Sequence, residues 1–249
     1  MFPELFRLGS LSISVYGVML GAAFALCTLG FVHAGGKSGL AQEKLWDLAL
    51  LATVVAVAAA RLFYVLAALP VYRHNLLSWF DLRHGGFSFF GALAAGTAAV
   101  LLYAGCHGLQ PGKILDLAAP FLALGYALVR VGCFFNGCCF GLPAELPWAL
   151  PAAAADNLPR HPTQLYASVA GFMLFLFLLV RRKQSGFPGR LFLEFIFLYC
   201  SCRFVIEFFR ETDDFWRIFT IAQTAALAGA AVAFAAILVR SRIIMRRRR

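Results

Sequence analysis

Apolar residues dominate seven stretches of this chain, and each stretch is long enough to cross a lipid bilayer. A membrane-spanning helix needs about 20 mostly apolar residues. The stretches lie at about 11–33, 46–70, 87–105, 113–133, 163–180, 191–209 and 217–239. Helices are expected throughout, because the open edges of strands cannot face lipid. The pattern predicts an all-α, polytopic integral membrane protein with seven transmembrane helices.

The composition agrees with that class. Hydrophobic residues make up 61% of the 249 residues and charged residues only 14%, whereas soluble domains are about half apolar and a quarter charged. We expect a single transmembrane helical bundle domain over residues 1–249. The net charge of +10 does not indicate nucleic acid as a partner, because no soluble domain presents the basic residues. The N-terminus has no basic n-region and no A-x-A site, so a cleaved signal peptide is not expected.

The distribution of Lys and Arg predicts the orientation. Thirteen of these residues lie on one side, in loops 34–45, 106–113 and 181–190 and in the tail at about 240–249. The loops on the opposite side hold six. The side with more positive charge is normally cytoplasmic. The N-terminus is then outside, the C-terminus and basic tail are cytoplasmic, and the polar loop at about 134–162 faces the periplasm.

Three arginines fall inside predicted spans: Arg61, Arg130 and Arg203. Spans two, four and six all run from inside to outside, so each arginine lies in the outer half of its helix. An arginine at the centre of a bilayer costs about 2.5–3.5 kcal/mol on insertion scales. Any one of them alone could extend to the interface, but three at similar depth predict a shared anion site. The planar guanidinium group suits phosphate.

The end of span six and the start of span five add polar groups at the same outer face. Arg203, Glu207 and Arg210 are spaced i, i+4 and i+7, which places them on one helix face. They are expected to form an internal ion pair or to be part of a phosphate site. In "RHPTQLY", His161 either binds phosphate or acts as a base, or it is only a polar anchor. Gln164 is expected to point into the bundle or the interface, and Tyr16 and Tyr199 to lie at headgroup depth.

The remaining signals are glycines and cysteines. Glycines 85, 86, 91 and 96 favour close helix packing or a re-entrant backbone. Among seven cysteines, Cys133, Cys138 and Cys139 have C-x4-C-C spacing, which matches no familiar zinc or iron–sulfur pattern and argues against a metal site. A disulfide in an oxidising compartment and a reactive thiol both stay open.

Eight segments in this order resemble the prolipoprotein diacylglyceryl transferases of bacterial inner membranes. They are "YGVMLG", "AARLFY", "GGFSFFG", "DLAAP", "RVGCFFNG", "RHPTQLY", "RFVIEFFRETD" and "TIAQ". The resemblance implies seven helices with the N-terminus outside and an active site towards the periplasmic leaflet of a multi-pass inner-membrane protein. It implies transfer of the diacylglyceryl group from phosphatidylglycerol to the lipobox cysteine of a preprolipoprotein, with release of glycerol phosphate and without a cofactor.

The same resemblance assigns roles to individual residues. Catalytic roles are implied for Arg130, Arg203, Glu207 and His161. Substrate-binding roles are implied for Tyr16, Asn136, Gly141, Gln164, Tyr199 and Arg210. Arg61 is expected to bind substrate as well, because of its depth in span two rather than because of the resemblance.

The chain departs from the family pattern at three positions. Phe90 replaces a usual histidine that has been assigned as a catalytic base or support, Cys133 replaces a common asparagine and Cys138 a common glutamate. Deprotonation of the acceptor thiol could then fall to His161 or Glu207. Two other functions stay open: a phospholipid-using transferase with a different acceptor, and a non-catalytic phospholipid-binding or transport protein.

Overall fold

The computed structural model describes residues 4–8, 11–72, 79, 88–151, 158–184, 186–211, 215–216 and 219–247. The main elements in these ranges are the helices α1 Val15–Gly36, α2 Gln42–Ala67, α3 Leu69–Tyr72, α4 Phe89–Cys106, α5 Pro111–Asn136, α6 Thr163–Arg181, α7 Arg190–Glu207 and α8 Ile221–Arg247. Three short antiparallel hairpins pair β1 Glu4–Leu8 with β2 Leu11–Ser14, β3 Leu150–Pro151 with β4 Pro159–Arg160, and β5 Phe215–Trp216 with β6 Phe219–Thr220. The all-α prediction is confirmed for the main elements.

Among the described residues, five helices are long and apolar enough to cross a membrane: α1, α2, α5, α6 and α8. Helices α4 and α7 have 18 residues each. Helix α7 carries two arginines and two glutamates. The structure is therefore that of a polytopic membrane protein, and the count of seven spans stays a prediction.

The first predicted span begins too early. Residues Leu11–Ser14 form β2, in which Ser12 pairs with Arg7 and Leu11 with Leu8 of β1. The hydroxyl of Ser14 accepts a hydrogen bond from the backbone N–H of Gly17 at 3.0 Å. A serine in this position satisfies one of the free N–H groups of the first helical turn. Helix α1 therefore begins at Val15, four residues after the predicted start.

The predicted bounds of the last span are wrong at both ends. The Thr220 hydroxyl accepts from the Gln223 N–H, and the Gln223 side chain accepts from the Thr220 N–H, each at 3.0 Å. This reciprocal pair is a capping box, so α8 begins at Ile221 and the residues before it form the β5–β6 hairpin. The helix then continues to Arg247. The basic segment predicted as a separate tail is helical as far as that residue.

The chain divides into two compact units, one of which comprises Val32–Ile114. In this unit α4 packs on α2 at Gly91 and Gly96. A Cβ atom on Gly91 would lie 2.8 Å from the carbonyl oxygen of Ala59, and one on Gly96 would lie 3.2 Å from Cβ of Ala56. Close helix packing is confirmed at these two glycines, whereas glycines 85 and 86 lie outside the described residues.

The other unit comprises Met1–Phe31 and Leu115–Arg249. Helix α6 packs on α7, and α7 on α8. Its core contains Ala119, Ala123, Leu174, Leu178, Leu191 and Phe195. The carboxylate of Asp116 on α5 accepts from the N–H groups of Gly189 and Phe192 at 2.8 and 2.9 Å. An anion is stabilised at a helix N-terminus, so this contact fixes the start of α7. The single domain expected from the sequence stays a prediction.

We expect Gly91→Ala to lower the free energy of unfolding by about 1–3 kcal/mol, because the added methyl group overpacks the α2–α4 contact. The matched control is Gly105→Ala on the same helix, where an added Cβ meets nothing within 4 Å. Thermal unfolding of the detergent-solubilised protein measures both variants. Equal melting temperatures for the two variants would contradict this account of the packing.

Candidate functional site

Helix α5 ends in a turn that brings cysteines together. The N–H of Cys138 donates to the carbonyl of Cys133 at 3.2 Å, and the N–H of Gly137 donates to the carbonyl of Phe134 at 3.1 Å. Gly137 has a φ of 72°, a left-handed conformation that glycine adopts without steric cost. These two bonds define a Schellman motif, which places the side chains three residues before and two residues after the helix end side by side. Cys133 and Cys138 occupy those two positions.

The first turn of α6 holds the loop after this motif. The Thr163 hydroxyl donates to the carbonyl of Cys139 at 2.8 Å. The amide of Gln164 donates to the carbonyl of Cys138 at 2.6 Å. Both donors are buried, and a buried hydrogen bond is costly to lose. The backbone after α5 is therefore fixed against the beginning of α6.

Backbone hydrogen bonds join three separate parts of the chain at Gly141. The Gly141 N–H donates to the carbonyl of His161 at 3.0 Å, and the Leu142 N–H donates to the carbonyl of Phe209 at 2.9 Å. A Cβ atom on Gly141 would lie 2.6 Å from Cβ of His161 and would collide with the Phe209 carbonyl. Only glycine fits here without a shift of the backbone. Gly141 thus acts through the close approach of the chain.

A buried arginine ties the same three segments together. Nη1 of Arg160 donates to the carbonyl of Gly141 at 3.1 Å and to Oε2 of Glu211 at 2.7 Å. Its guanidinium carbon lies 5.0 Å from the centre of the Phe140 ring. The side chain of Arg160 is 6% exposed, so its charge depends on these partners. The contacts connect the α5 loop and the segment before α6 to the chain after α7.

A narrow pocket lies where these elements meet. It is lined by Tyr126, Arg130, Cys139, Thr163, Gln164, Ala167, Arg203, Ile206 and Arg210. Its cavity volume is about 10 Å³, which is room for about one water molecule. Of the predicted site residues, the structure brings Arg130, Arg203, Arg210 and Gln164 to this pocket.

Glu207 is the counter-ion of two of the pocket arginines. Its carboxylate is 2% exposed and pairs with Nη1 of Arg203 through Oε2. Nη1 of Arg210 lies 3.7 Å from the same oxygen. The two ion pairs expected from the i, i+4 and i+7 spacing are present, although α7 itself ends at Glu207 and Arg210 follows in a turn. Glu207 therefore orients both guanidinium groups.

Arg130 differs from the other two cations. Its guanidinium carbon lies 5.1 Å from the centre of the Tyr126 ring, and that ring meets the Tyr199 ring edge to face at 5.0 Å. Its Nε is buried and has no hydrogen-bond partner among the residues that the structure describes. A buried donor without a partner is costly. The position of this donor beside the pocket indicates a site for an acceptor atom.

His161 lies beside the pocket rather than in its lining. Its Nδ1 lies 3.2 Å from the hydroxyl of Tyr166, and the same hydroxyl accepts from the indole N–H of Trp148 at 2.8 Å. The His161 ring also packs against Phe209 at 5.2 Å between ring centres. The imidazole is thus oriented by neighbours from α6, the loop after α5 and the end of α7.

Three other predicted residues lie elsewhere. Asn136 is the exposed last residue of α5. Tyr16 lies in the first turn of α1 and packs against α5, where a Cβ atom on Gly132 would lie 3.3 Å from its ring. Arg61 belongs to the other unit, where its buried Nε donates to the carbonyl of Trp79 at 2.9 Å and its guanidinium carbon lies 5.4 Å from the Tyr72 ring centre. The predicted site shared by Arg61 with the other two arginines stays a prediction.

Sequence reasoning missed several residues that build the pocket. Tyr126, Cys139 and Thr163 line the pocket. Thr163 also holds the loop after α5 through its hydrogen bond to Cys139. The contact of Arg160 with Glu211 connects the chain segments around the pocket. The pair "NG" after an apolar helix signals a left-handed helix end, which could have predicted that Cys133 and Cys138 are neighbours. The Arg160–Glu211 contact spans 51 residues, and nothing in the local pattern indicates it.

All seven cysteines are free thiols, so the disulfide considered from the sequence is absent. Hydrogen bonds from the Cys133 and Cys138 thiols lower the pKa of the Cys139 thiol, and the nearby guanidinium groups of Arg210 and Arg130 lower it further. Burial acts in the opposite direction. The loop thus holds an electron-rich sulfur atom at the edge of a cationic pocket.

Comparison of the sequence with known proteins identifies one family. The sequence model of the prolipoprotein diacylglyceryl transferase family matches residues 3–239. A phosphatidylglycerol–prolipoprotein diacylglyceryl transferase of Clostridium tetani is 30% identical over 235 residues, which are 89% of this chain and 94% of the relative. The enzyme of the same name from Bordetella parapertussis is 36% identical over 219 residues, covering 86% and 84%. That of Acaryochloris marina is 33% identical over 236 residues, covering 91% and 86%.

We expect Gly141→Ala to lower the free energy of unfolding by about 1–3 kcal/mol, because the methyl group must push apart the backbone at His161 and Phe209. Thermal unfolding in detergent measures the change. The control is Gly21→Ala in the same unit, where an added Cβ meets nothing within 4 Å. A Gly141→Ala variant as stable as this control would show that the three segments do not depend on their close approach.

Proposed function

This chain belongs to the prolipoprotein diacylglyceryl transferase family, and we propose that it transfers the diacylglyceryl group of phosphatidylglycerol to the lipobox cysteine of a preprolipoprotein. The family membership supports the substrates, since the relatives carry both in their names. The observation that carries the proposal is the pocket of three arginines, two of which pair with the buried carboxylate of Glu207.

The charges in the pocket favour an anionic substrate. Arg130, Arg203 and Arg210 supply three positive charges, and Glu207 supplies one negative charge among the described residues around them. The phosphodiester of phosphatidylglycerol would neutralise part of the excess charge and would supply acceptor oxygens. Guanidinium groups bind such oxygens with parallel hydrogen bonds. The unpartnered Nε of Arg130 is an available donor for one of them.

The reaction needs this charge most when the headgroup leaves. The acceptor sulfur forms a bond to the glycerol carbon of the diacylglyceryl group, and the bond from that carbon to the phosphate oxygen breaks. Glycerol phosphate departs with the bonding electrons, so negative charge develops on its phosphate. Fixed cations in a site that excludes water stabilise such charge strongly. Arg130 and Arg203 are the catalytic cations in this scheme, and Glu207 keeps Arg203 oriented.

The pocket must open for the lipid to enter. Its volume of about 10 Å³ holds a water molecule and not a phosphate group. Arg203 and Arg210 are 15% and 25% exposed, so each guanidinium group can turn some of its N–H donors towards an incoming phosphate while it stays paired with Glu207. We propose that six further residues contribute to substrate binding: Gln164, Tyr199, Tyr16, Asn136, Gly141 and Arg61.

The acceptor thiol must lose its proton before or during the attack. The carboxylate of Glu207 is already engaged with the guanidinium groups of Arg203 and Arg210. Among the described residues His161 forms no ion pair, and its ring is oriented by Tyr166. We therefore assign the role of base to His161 and the role of positioning the arginines to Glu207.

We also propose seven spans in the bacterial inner membrane, with the N-terminus outside and the pocket at the periplasmic leaflet. Within the larger unit, the pocket lies where α5 ends, α6 begins and α7 ends. The opposite ends of these helices carry Lys113, Arg181 and Arg190, and α8 finishes in basic residues beyond Arg240. Basic residues mark the cytoplasmic side, which supports a pocket on the outer side.

The direct test is an assay of the purified protein with phosphatidylglycerol and a lipobox peptide, followed by mass spectrometry. We expect a diacylglyceryl-modified peptide from the wild type. Arg130→Lys should lower kcat/KM about 100-fold, because a lysine cannot supply the Nε donor to the developing charge. The control Arg181→Lys changes an arginine at the other end of α6, in an ion pair with Glu194, and should retain normal activity.

The same assay separates the base from the positioning residue. His161→Gln should keep lipid affinity, and its rate should recover partly at high pH, where the acceptor thiol ionises without help. Glu207→Gln should weaken lipid binding at every pH. Lipid binding by the wild type with no product, while a relative modifies the peptide in parallel, would contradict the proposed transfer. Consumption of phosphatidylglycerol without modification of the peptide would indicate a different acceptor.

Cys106 tests the orientation, because it is exposed at the end of α4 and its loop should be cytoplasmic. We expect a membrane-impermeant maleimide to leave Cys106 unlabelled in intact spheroplasts and to label it after permeabilisation. Peptide mass spectrometry identifies the labelled residue. Labelling of Cys106 in intact spheroplasts would reverse the proposed orientation.

A further inference from the structure

Three thiols converge at the end of α5, outside the ion pairs described above. The Sγ atoms of Cys133, Cys138 and Cys139 all lie within 4.8 Å of one another. The side chain of Cys133 is buried, and those of the other two are half-buried. A helix end lies between the first cysteine and the other two, so the convergence depends on the geometry of that helix end.

The backbone is arranged to produce this convergence. The Schellman motif sets Cys138 beside Cys133. Cys139 then adopts a φ of 62°, the only positive φ at a non-glycine residue in the part of the chain that the structure describes. This conformation costs an ordinary residue about 1–2 kcal/mol. Strain of this kind is characteristic of functional positions, and here it turns the third sulfur towards the first two.

Neighbouring side chains maintain the strained conformation. The carbonyl groups of Cys138 and Cys139 accept the hydrogen bonds from Gln164 and Thr163. Since both donors belong to the first turn of α6, the cysteine loop cannot relax without breaking two buried bonds. The three sulfur atoms are thus held together before any ligand arrives, which lowers the entropic cost of binding.

The number and kind of donors select the ligand. Thiolates are soft ligands that bind Cu(I) or Zn²⁺. Structural zinc sites are almost always four-coordinate, but the group contains only three His, Cys, Asp or Glu donors among the described residues. Metal–sulfur bonds of about 2.3 Å separate the sulfurs of a trigonal site by about 4.0 Å, which agrees with the observed cluster.

The surrounding charge also suits such a complex. One monovalent cation bound by three thiolates leaves two negative charges. Arg130 and Arg210 both act electrostatically on Cys139, and they would offset this charge. A buried anionic complex without such partners would be costly.

We propose that Cys133, Cys138 and Cys139 form a three-coordinate binding site for a soft, thiophilic monovalent cation of the Cu(I) class. On binding, three S–H bonds are replaced by metal–sulfur bonds and the thiol protons pass to solvent, without oxidation or reduction of the protein. The site does not depend on the proposed transfer reaction.

The test is an anaerobic titration of the reduced, full-length protein in detergent with Cu(I), in competition with a chromogenic Cu(I) chelator. We expect the wild type to withdraw one equivalent from the chelator and to develop an ultraviolet thiolate-to-metal band. Cys138→Ser and Cys139→Ser should each weaken binding at least about tenfold, by analogy with the loss seen when metal sites are altered. Thermal unfolding establishes that each variant is folded.

The matched control is Cys202→Ser, which removes a half-buried thiol in the same unit but outside the cluster. It should bind Cu(I) as the wild type does. The proposal is overturned when the wild type fails to compete with the chelator, or when Cys202→Ser loses as much affinity as Cys138→Ser. A parallel titration with Zn²⁺ that displaces bound Cu(I) would overturn the assigned class of metal.

Discussion

The ion pair between Arg203 and the buried carboxylate of Glu207 is the interaction on which the pocket depends. An uncompensated charge inside a membrane protein is expensive, and Glu207 is almost fully buried. Its partners come from both sides, one turn earlier on α7 and one turn later at Arg210. One carboxylate therefore stabilises two cations in a place where neither would be tolerated alone. The third arginine of the pocket, Arg130, does not pair with this carboxylate, and its Nε has no hydrogen-bond partner among the described residues.

The backbone around Gly141 converts this local charge arrangement into a site. Helices α5, α6 and α7 each contribute only one end to the pocket, and helix ends are where backbone groups lack partners. Beyond these ends, the loop after α5 exchanges backbone hydrogen bonds with the residues before α6 and with the turn after α7. The same exchange places Arg160 against Glu211 and His161 against Tyr166. The backbone hydrogen bonds that join these three segments therefore also position the polar side chains of the site.

The sequence predicted the helices and the charged residues of the site, because both follow from local patterns. Apolar length revealed the helices, and i, i+4 spacing revealed the Arg203–Glu207 pair. The sequence-based prediction failed where a polar side chain caps the first turn of a helix. Ser14, Thr220 and Gln223 set helix starts that hydrophobicity alone placed too early. It also failed for the contacts between distant segments, such as Thr163 with Cys139. No periodicity encodes those contacts, since they arise only when the helices pack.

The cysteine loop shows how a spacing that matches no known pattern can still have a physical meaning. Metal motifs are usually recognised within one turn or one helix, whereas Cys133 and Cys138 meet across a helix end and Cys139 joins them through a left-handed residue. Cys139 belongs both to the thiol cluster and to the lining of the arginine pocket. A phosphate and an anionic metal–thiolate complex would draw on the positive charge of the same Arg130 and Arg210. Because like charges at short range oppose each other, a metal–thiolate complex at the cysteines would compete with a lipid phosphate for these two arginines.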